Sequence, residues 1–372
     1  MVVCHAGIGL PYSKFIYFFH MPVFFIVSGY VFNSKYSDSF DAFVSFVKRK
    51  IKRLWFPFFV STSIFLLLNN FFIKINVYTN NPMFLKEISG EYNHLTEPLS
   101  IGDTVVQIFR ALTFNSETQL GGALWFLVVL FFLTVFYAFC DLLIKTFLKK
   151  VSIKKKERTL LLIQGVLSIV FLFIGYKFFW YVGVDNFKQL KVASFYSLYY
   201  LGIVFRVIRD RIDNINIFIK ILIWIISIIV LVFMTLNNGI NKFGLAENQY
   251  NNPLILLLAS ISGLFFLFFI ARIVSKIEYI SKPIVYLGKN TLYILILHFL
   301  CFKIVSYLGV IIYHKPFFFV ASFPVLFEGN LWWLAYTIVG VFIPVLFGLI
   351  CSQLKKRTVN IYKTYKLRRK KC

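Results

Sequence analysis

The chain has 372 residues, of which 59% are hydrophobic and 20% aromatic, and its formal net charge at pH 7 is +25. A soluble domain of this length could not bury so much apolar surface in one core, which excludes a soluble globular protein. Stretches such as 54–72, 123–144 and 217–236 approach the roughly 20 apolar residues that a helix needs to cross a bilayer. Membrane β-strands are about half as long and alternate in polarity, so we expect an all-α, polytopic helical bundle in the membrane.

Nine full membrane spans are predicted, preceded by a short apolar stub at 1–8. In chain order the predicted spans are 16–33, 54–73, 123–144, 159–176, 193–208, 215–236, 253–271, 290–312 and 331–351. We expect one membrane domain over 1–351 and a basic tail over 352–372. No internal repeat stands out along the chain.

Positive charge is concentrated in alternate loops. The loops 34–53, 145–158 and 272–289, together with the tail, carry most of the net charge, whereas the long loop 74–121 is slightly acidic. By the positive-inside rule the basic loops and the C-terminus are cytoplasmic, in a multi-pass protein of the plasma membrane. This distribution indicates that the charge serves membrane topology rather than nucleic-acid binding. We therefore expect membrane lipid as a partner and no nucleic acid.

The same topology puts Met1 on the outer side, although nothing ahead of it could act as a signal sequence. The stub at 1–8 therefore resembles the outer end of a helix whose beginning is missing. We expect a start assigned too late or a truncated gene, and sequencing of the native N-terminus would decide between these and a genuine start at Met1.

The cysteines predict neither a disulfide framework nor a metal site. There are five of them, an odd number without paired spacing, and Cys372 is not at the fourth-from-last position that prenylation requires. No His, Cys or Asp spacing typical of a metal site occurs elsewhere, so no metal and no cofactor is predicted.

Three histidines lie within apolar segments, where an ionisable residue is costly and often functional. His5 lies in the stub, His20 in the first full span and His298 in the span 290–312. A short turn at 9–12 joins the first two elements, so we expect the rings of His5 and His20 within about 12 Å, since neighbouring helix axes lie about 8–10 Å apart. For His298 two interpretations stay open: a functional role, or a buried histidine bonded to a neighbouring helix.

A neutral imidazole can take a proton from a hydroxyl group at neutral pH and so activate that oxygen for attack on an acyl group. A thioester donor is already activated and needs no metal. Ser28 lies in Val27-Ser28-Gly29-Tyr30 rather than in a Gly-x-Ser-x-Gly elbow, so we interpret it as a packing residue and not as a nucleophile.

A basic segment lies just ahead of Trp55 and Pro57. Its charged residues are Lys48, Arg49, Lys50, Lys52 and Arg53. One interpretation is a topology signal. The other is a clamp for phosphate groups, because guanidinium groups make two-pronged charged hydrogen bonds to phosphate oxygens.

Five blocks of sequence occur together and in order. They are Cys4-His5, the block 19–30 (FHMPVFFIVSGY), the block 50–57 (KIKRLWFP), the block 124–127 (LWFL), and the block 287–293 (LGKNTLY) followed by His298. In these blocks the chain resembles the membrane acyltransferase-3 family, and within that family it most resembles the fucose 4-O-acetylase-like members. The resemblance covers essentially the whole chain, and the segment from His20 to Gly29 is its most specific part.

This resemblance implies a ten-helix membrane O-acyltransferase with a cytoplasmic acyl-CoA, such as acetyl-CoA, as co-substrate. The acceptor it implies is a sugar hydroxyl of a cell-envelope glycan or exopolysaccharide, free or as a lipid-linked sugar. The family's catalytic histidine corresponds to His5, with His20 as the second candidate. An arginine that the family commonly has eleven residues before this histidine would precede Met1, in agreement with a missing start.

The resemblance also assigns donor binding to the basic segment, where Arg49 and Arg53 match the family and Lys50 lies between them. Four further residues are expected to contact substrate or to support the site. They are His298, Trp125, Ser28 and Asn290.

Three other functions stay open at this point. A transporter or flippase for lipid-linked sugars would predict internal repeats or paired broken helices, which the sequence does not show. A glycan polymerase would carry its essential residues in a large outer loop, and 74–121 is long enough. A relative that has lost catalysis is favoured if Met1 is the genuine start.

Overall fold

The computed structural model of the chain describes residues 1–9, 12–88, 92–150, 153–182, 190–237, 243–250 and 252–369. Within these ranges the chain is almost entirely helical, with one small antiparallel hairpin formed by strands β1 (Phe243–Gly244) and β2 (Gln249–Tyr250). The predicted all-α, polytopic fold class is confirmed.

The helices are numbered in chain order. They are α1 (Val2–His5), α2 (Tyr12–Tyr30), α3 (Phe40–Lys50), α4 (Phe56–Leu67), α5 (Asn69–Lys74), α6 (Met83–Glu87), α7 (Ile101–Leu112), α8 (Trp125–Phe147), α9 (Ile153–Val182), α10 (Leu190–Asn214), α11 (Ile217–Leu236), α12 (Pro253–Val274), α13 (Glu278–Lys289), α14 (Thr291–Ile312) and α15 (Trp332–Arg369). Short 3-10 segments cover Ser34–Ser37, Gln119–Leu124, Leu148–Lys150 and Phe317–Ala321, and a turn of π-helix covers Ile51–Trp55.

Seven helical stretches among the described residues are long and apolar enough to cross a membrane. They are Gln119–Phe147, Lys155–Lys177, Lys191–Asn214, Ile217–Leu236, Pro253–Val274, Thr291–Ile312 and Trp332–Lys355. These match seven of the nine predicted spans. The predicted span 16–33 corresponds to the 19-residue α2. The predicted span 54–73 is interrupted at Leu68, between α4 and α5.

The last helix crosses the predicted boundary between the membrane domain and the basic tail. α15 continues without a break from Trp332 to Arg369, whereas the boundary was predicted after residue 351. The final predicted tail residues, 370–372, lie outside the described part of the chain.

Helix α2 lies at the centre of the bundle, packed along α10 and α12. Its crossing with α10 is a backbone-to-backbone contact. A Cβ atom at Gly29 would overlap the carbonyl oxygen of Tyr199, and one at Gly202 would overlap the carbonyl oxygen of Ile26. Small residues at such crossings let membrane helices approach closely, which explains the glycine that follows Ser28 in the sequence.

We expect Gly202→Ala to force α2 and α10 apart and to destabilise the folded protein by about 1–3 kcal/mol, the usual cost of overpacking. The measurement is the thermal unfolding midpoint of the purified protein in detergent. Gly288→Ala is the matched control, because a Cβ at this helical position would meet no atom within 4 Å. Equal unfolding midpoints for the two variants would contradict the close crossing.

The sequence suggested that the loop 74–121 stays at one end of the bundle, but part of this loop runs back along the bundle. Helix α7 within it packs along α4. At one end the Asn70 side chain accepts from the amide of Leu99 at 2.8 Å and donates to its carbonyl at 2.8 Å. At the other end Trp55 Nε1 donates to the carbonyl of Leu112 at 3.0 Å. Helix α7 therefore runs antiparallel to α4, back to the end where α4 begins.

The segment between α14 and α15 folds inward against α14. The Lys303 side chain, 1% exposed, donates to three successive carbonyl oxygens at 3.1, 3.1 and 2.7 Å. These belong to Val320, Ala321 and Ser322. All three ammonium donors are satisfied, which a buried cation requires. The amide of Gly329 donates to the carbonyl of Gly7 at 2.9 Å, so the same segment also covers the end of α1.

Candidate active site

Two histidines far apart in sequence lie side by side within the bundle. The ring centroids of His5, the last residue of α1, and His298, on α14, are 5.5 Å apart. The Phe299 ring contacts both, with centroids 5.0 Å from His5 and 4.0 Å from His298. His298 is fully buried and His5 is half-buried. We call His5 and His298 the histidine pair.

The hydrogen bonds of His298 fix which of its nitrogens is free. Its Nδ1 lies 2.9 Å from the carbonyl oxygen of Ile294 and 3.1 Å from that of Leu295. Carbonyl oxygens only accept, so Nδ1 carries the proton and donates to them. In the neutral ring Nε2 is then the acceptor, and it is buried with no hydrogen-bond partner among the described residues. Leaving a buried polar atom unpaired costs about 1–3 kcal/mol, which makes Nε2 a ready acceptor for a bound hydroxyl group.

His20 is connected to the histidine pair through one tyrosine. The Tyr17 ring centroid lies 6.2 Å from that of His5 and 5.1 Å from that of His20. The His5 and His20 rings can therefore be no further apart than these two distances combined, within the predicted limit of about 12 Å. His20 is buried and its Nδ1 donates to the carbonyl of Ile16 at 3.1 Å. Leu10 and Pro11, in the predicted turn, lie outside the described residues.

Aromatic rings and a glycine line the histidine pair. The Phe323 ring packs against Phe299 at a tilt of 54°, with centroids 4.5 Å apart. A Cβ atom at Gly122 would lie 3.4 Å from Phe323 and 3.7 Å from Phe299. Trp125 begins α8 immediately after the turn that contains this glycine, and the Lys191 ammonium lies 5.5 Å from its ring centroid. Trp125 thus lies close in the chain to the lining of the site.

Ser28 and Asn290 lie away from the histidine pair. Ser28 is about 12 Å along α2 from His20 at 1.5 Å per residue, next to the close crossing at Gly29. Asn290 lies at the junction of α13 and α14, where its side-chain amide donates to the carbonyl of Tyr286 at 3.0 Å. Both positions fit structural roles, at a helix crossing and at a helix junction.

Of the predicted donor-binding residues, Arg49 and Lys50 end α3, and Arg53 lies in the turn that follows it. Arg49 and Arg53 are exposed and Lys50 is half-buried. Burial, and then the nearby guanidinium groups of Arg53 and Arg49, lower the pKa of Lys50 to about 8. We call these three residues the basic cluster. Like charges this close disfavour one another and favour a bound anion.

The basic cluster ends in the π-helical turn Ile51–Trp55, which directly precedes α4. Turns of π-helix are rare and occur frequently at functional sites. Nothing in the sequence predicts this turn, because a π-helical turn has no periodicity of its own over five residues.

A second pair of arginines, which sequence reasoning missed, lies at the end of α2. Arg206 Nη1 donates to the carbonyls of Tyr30, at 3.4 Å, and of Phe32. Arg209 Nη1 donates to the Tyr30 hydroxyl at 2.6 Å. Cations at a helix C-terminus satisfy its free carbonyls and its dipole. The only signal in the sequence was the spacing Arg-x-x-Arg at 206–209, where the predicted span 193–208 ends.

Helix α2 therefore connects the histidines, at His20, to the second pair of arginines, which bind its end at Tyr30. His20 and Tyr30 are separated by about 15 Å along the helix axis. Among the residues that the structure describes, no three or more His, Cys, Asp or Glu side chains are placed to hold a metal ion. What the arrangement offers is a histidine group inside the bundle and a cationic group at one end of it.

A family model described as an acyltransferase domain matches residues 1–358. The match includes the histidine pair, His20, the basic cluster and Trp125. No curated protein and no solved structure matches the chain.

Proposed function

We propose that this chain, which belongs to the membrane acyltransferase-3 family, moves an acetyl or similar acyl group from acyl-CoA to a sugar hydroxyl. It is an acyltransferase with several helices able to span a membrane. The proposed acceptor is a cell-envelope or exopolysaccharide glycan, or a lipid-linked sugar. The single observation that carries the residue assignment is the pairing of His5 with His298 inside the bundle.

In the proposed reaction His5 is the general base. It takes the proton of the sugar hydroxyl as the oxygen attacks the thioester carbonyl carbon. The carbon–sulfur bond then breaks, the coenzyme A thiolate leaves, and the imidazolium returns the proton to the sulfur. A new oxygen ester has formed and His5 is neutral again. General base catalysis of this kind typically contributes about 10²–10⁴-fold.

His298 supports this step through its free Nε2. The atom is buried beside His5 and has no partner among the described side chains, so it can accept a hydrogen bond from the His5 ring or from the sugar hydroxyl. In the first case it fixes the tautomer of His5, and in the second it orients the acceptor. His20, one tyrosine ring away, is the second candidate for proton transfer.

The donor is proposed to bind at the basic cluster. Coenzyme A carries several phosphate charges, which guanidinium groups bind as a fork. The basic loops support a cytoplasmic side for this end of the bundle and for the C-terminus in a plasma-membrane protein, and acyl-CoA is made in the cytoplasm. The donor's long pantetheine arm would then reach along α2 toward the histidine pair.

The depressed pKa of Lys50 predicts a pH dependence of donor binding. Phosphate groups are already ionised above about pH 7, because their second pKa is about 6. Lys50, with a pKa of about 8, loses its positive charge as the pH rises from about 7 to about 9, so acyl-CoA affinity should fall over that range. Lys50→Arg keeps the charge and should flatten the profile. Equal profiles, measured by titration calorimetry, would remove Lys50 from the donor site.

A flippase, a glycan polymerase and a catalytically inactive relative make different predictions in one experiment. Membranes containing the protein are incubated with acetyl-CoA labelled in the acetyl group, beside membranes that lack it. The proposed function predicts label on glycan that mild alkali releases, as from an oxygen ester. A flippase or polymerase moves no label, and an inactive relative binds the donor without transfer, so an unlabelled glycan would overturn the proposal.

A further inference from the structure

A network of polar groups, partly buried, lies at the end of the bundle that carries the basic cluster. The Lys145 ammonium lies 2.8 Å from an oxygen of Asp38 and 3.1 Å from an oxygen of Asp141. It also donates to the backbone carbonyl and to the hydroxyl of Ser34, both at 2.6 Å. Lys145 thus joins α8 to the 3-10 turn Ser34–Ser37 that follows α2.

The carboxylate of Asp141 completes this network. Asp141 is 3% exposed. The Ser37 hydroxyl donates to one of its oxygens, and Gln164 Nε2 donates to the other at 3.4 Å. The Tyr196 hydroxyl in turn donates to Gln164. A buried carboxylate persists only when its charge and lone pairs are satisfied, so α8, α9 and α10 together hold the turn in one place.

The turn held by this network carries an aromatic ring to the basic cluster. Tyr36 lies in the turn, and its ring stacks on Phe46 of α3 with centroids 4.9 Å apart at 23°. The Arg49 guanidinium carbon lies 4.6 Å from the centroid of the Tyr36 ring. A guanidinium group over an aromatic face is attracted to the negative face of the ring quadrupole, by about 0.5–1 kcal/mol at exposed sites.

We propose that Asp141, Lys145 and Tyr36 are positioning residues that hold the Arg49 guanidinium ready for the phosphate groups of the donor. The inference rests on the proposed function, because it is the proposed function that assigns Arg49 to the binding of acyl-CoA. A long arginine side chain loses conformational freedom when it binds an anion, and a guanidinium group already fixed by a ring loses less. Asp141 and Lys145 act through the turn and through Tyr36.

The first test replaces the ring. Tyr36→Ala should weaken acetyl-CoA binding about two- to fivefold, the equivalent of a lost cation–π contact. It should raise the KM for acetyl-CoA and leave kcat unchanged. Tyr36→Phe keeps the ring and should bind as the original protein does. A purely structural role would lower the yield of folded protein without changing the KM of what remains.

The second test is a double-mutant cycle, which measures whether two residues act together. Asp141→Asn should weaken acetyl-CoA binding to a similar extent, yet add nothing in an Arg49→Gln background. Lys282→Ala is the control, since it breaks an exposed ion pair with Glu278 whose side chains are 73% and 72% exposed. If Asp141→Asn does not fold, Tyr36→Ala takes its place in the cycle, and it too should add no loss of acetyl-CoA binding in the Arg49→Gln background.

The outcomes separate this inference from the proposed function. If Arg49→Gln leaves acetyl-CoA affinity unchanged, Arg49 does not bind the donor, and both this inference and the proposed donor site fail, whereas the proposed acyl transfer is still tested by the labelled-glycan experiment. If Arg49→Gln weakens binding while Tyr36→Ala does not, or if the two losses are additive, the positioning role alone is overturned.

Discussion

Replacing His5 with alanine is expected to reduce acyl transfer by roughly 10²–10⁴-fold while acyl-CoA binding stays largely intact, because a general base acts in the chemical step. The proposed base, His5, lies in the bundle beside His298, with ring centroids 5.5 Å apart. The donor phosphates are proposed to bind at the basic cluster, at one end of the bundle. The measurements are the single-turnover rate of labelled acetyl transfer and the affinity of the purified protein for acetyl-CoA.

His314→Asn is the matched control for this variant. His314 is exposed and has a positive φ of 49°, a conformation that asparagine tolerates. Near-normal turnover in His5→Ala would move the general base to His298 or to His20, and the same assay on alanine variants of these two residues would identify it. Loss of donor binding in His5→Ala would instead make His5 part of the donor site.

The second large effect is expected at the two arginines of the basic cluster. Arg53→Lys and Arg49→Lys keep the charge and the topology signal but remove the planar fork. The loss of one charged hydrogen bond, about 1.5–3 kcal/mol, should weaken acyl-CoA binding roughly tenfold to 100-fold. Membrane insertion should not change, because the positive-inside rule counts charge alone.

Lys52→Arg is the control for the arginine variants, since Lys52 is exposed on the same segment and its charge is kept. Binding is measured by titration with acetyl-CoA, and insertion by protease protection of the C-terminal tail. Unaltered donor affinity in both arginine variants would return the cluster to a topology role and leave the donor site unassigned.

The spanning helices could be predicted because their signal is local. α11 and α14 are near-continuous apolar runs of about the length that crosses a bilayer. The end of α4 was less predictable, because the predicted span 54–73 runs across Asn69 and Asn70, the polar pair that directly follows the break at Leu68. The return of α7 along α4 depends on bonds made by Trp55 and Asn70, and no periodicity within either helix encodes such contacts.

The candidate site was predictable only where its parts are close in sequence. His5 and His20 are joined by a short connection, so their proximity follows from chain geometry. His298 comes from a helix nearly three hundred residues later, and one sequence carries no sign of which face of α14 turns toward α1. Asp141 was visible as a charge inside an apolar span, with Lys145 at the i,i+4 spacing of a helical ion pair, but its partner Ser37 required the fold.

In the proposed reaction an acyl group passes from a donor bound at the basic cluster to a hydroxyl group held at the histidine pair. The most direct test uses sealed membrane vesicles of known orientation, with labelled acetyl-CoA supplied to one face and glycan acceptor to the other. Transfer is expected only when the donor is on the face of the basic cluster and the acceptor on the opposite face, and no transfer is expected with His5→Ala. Transfer that requires donor and acceptor on the same face, or that persists without His5, would contradict the proposed reaction.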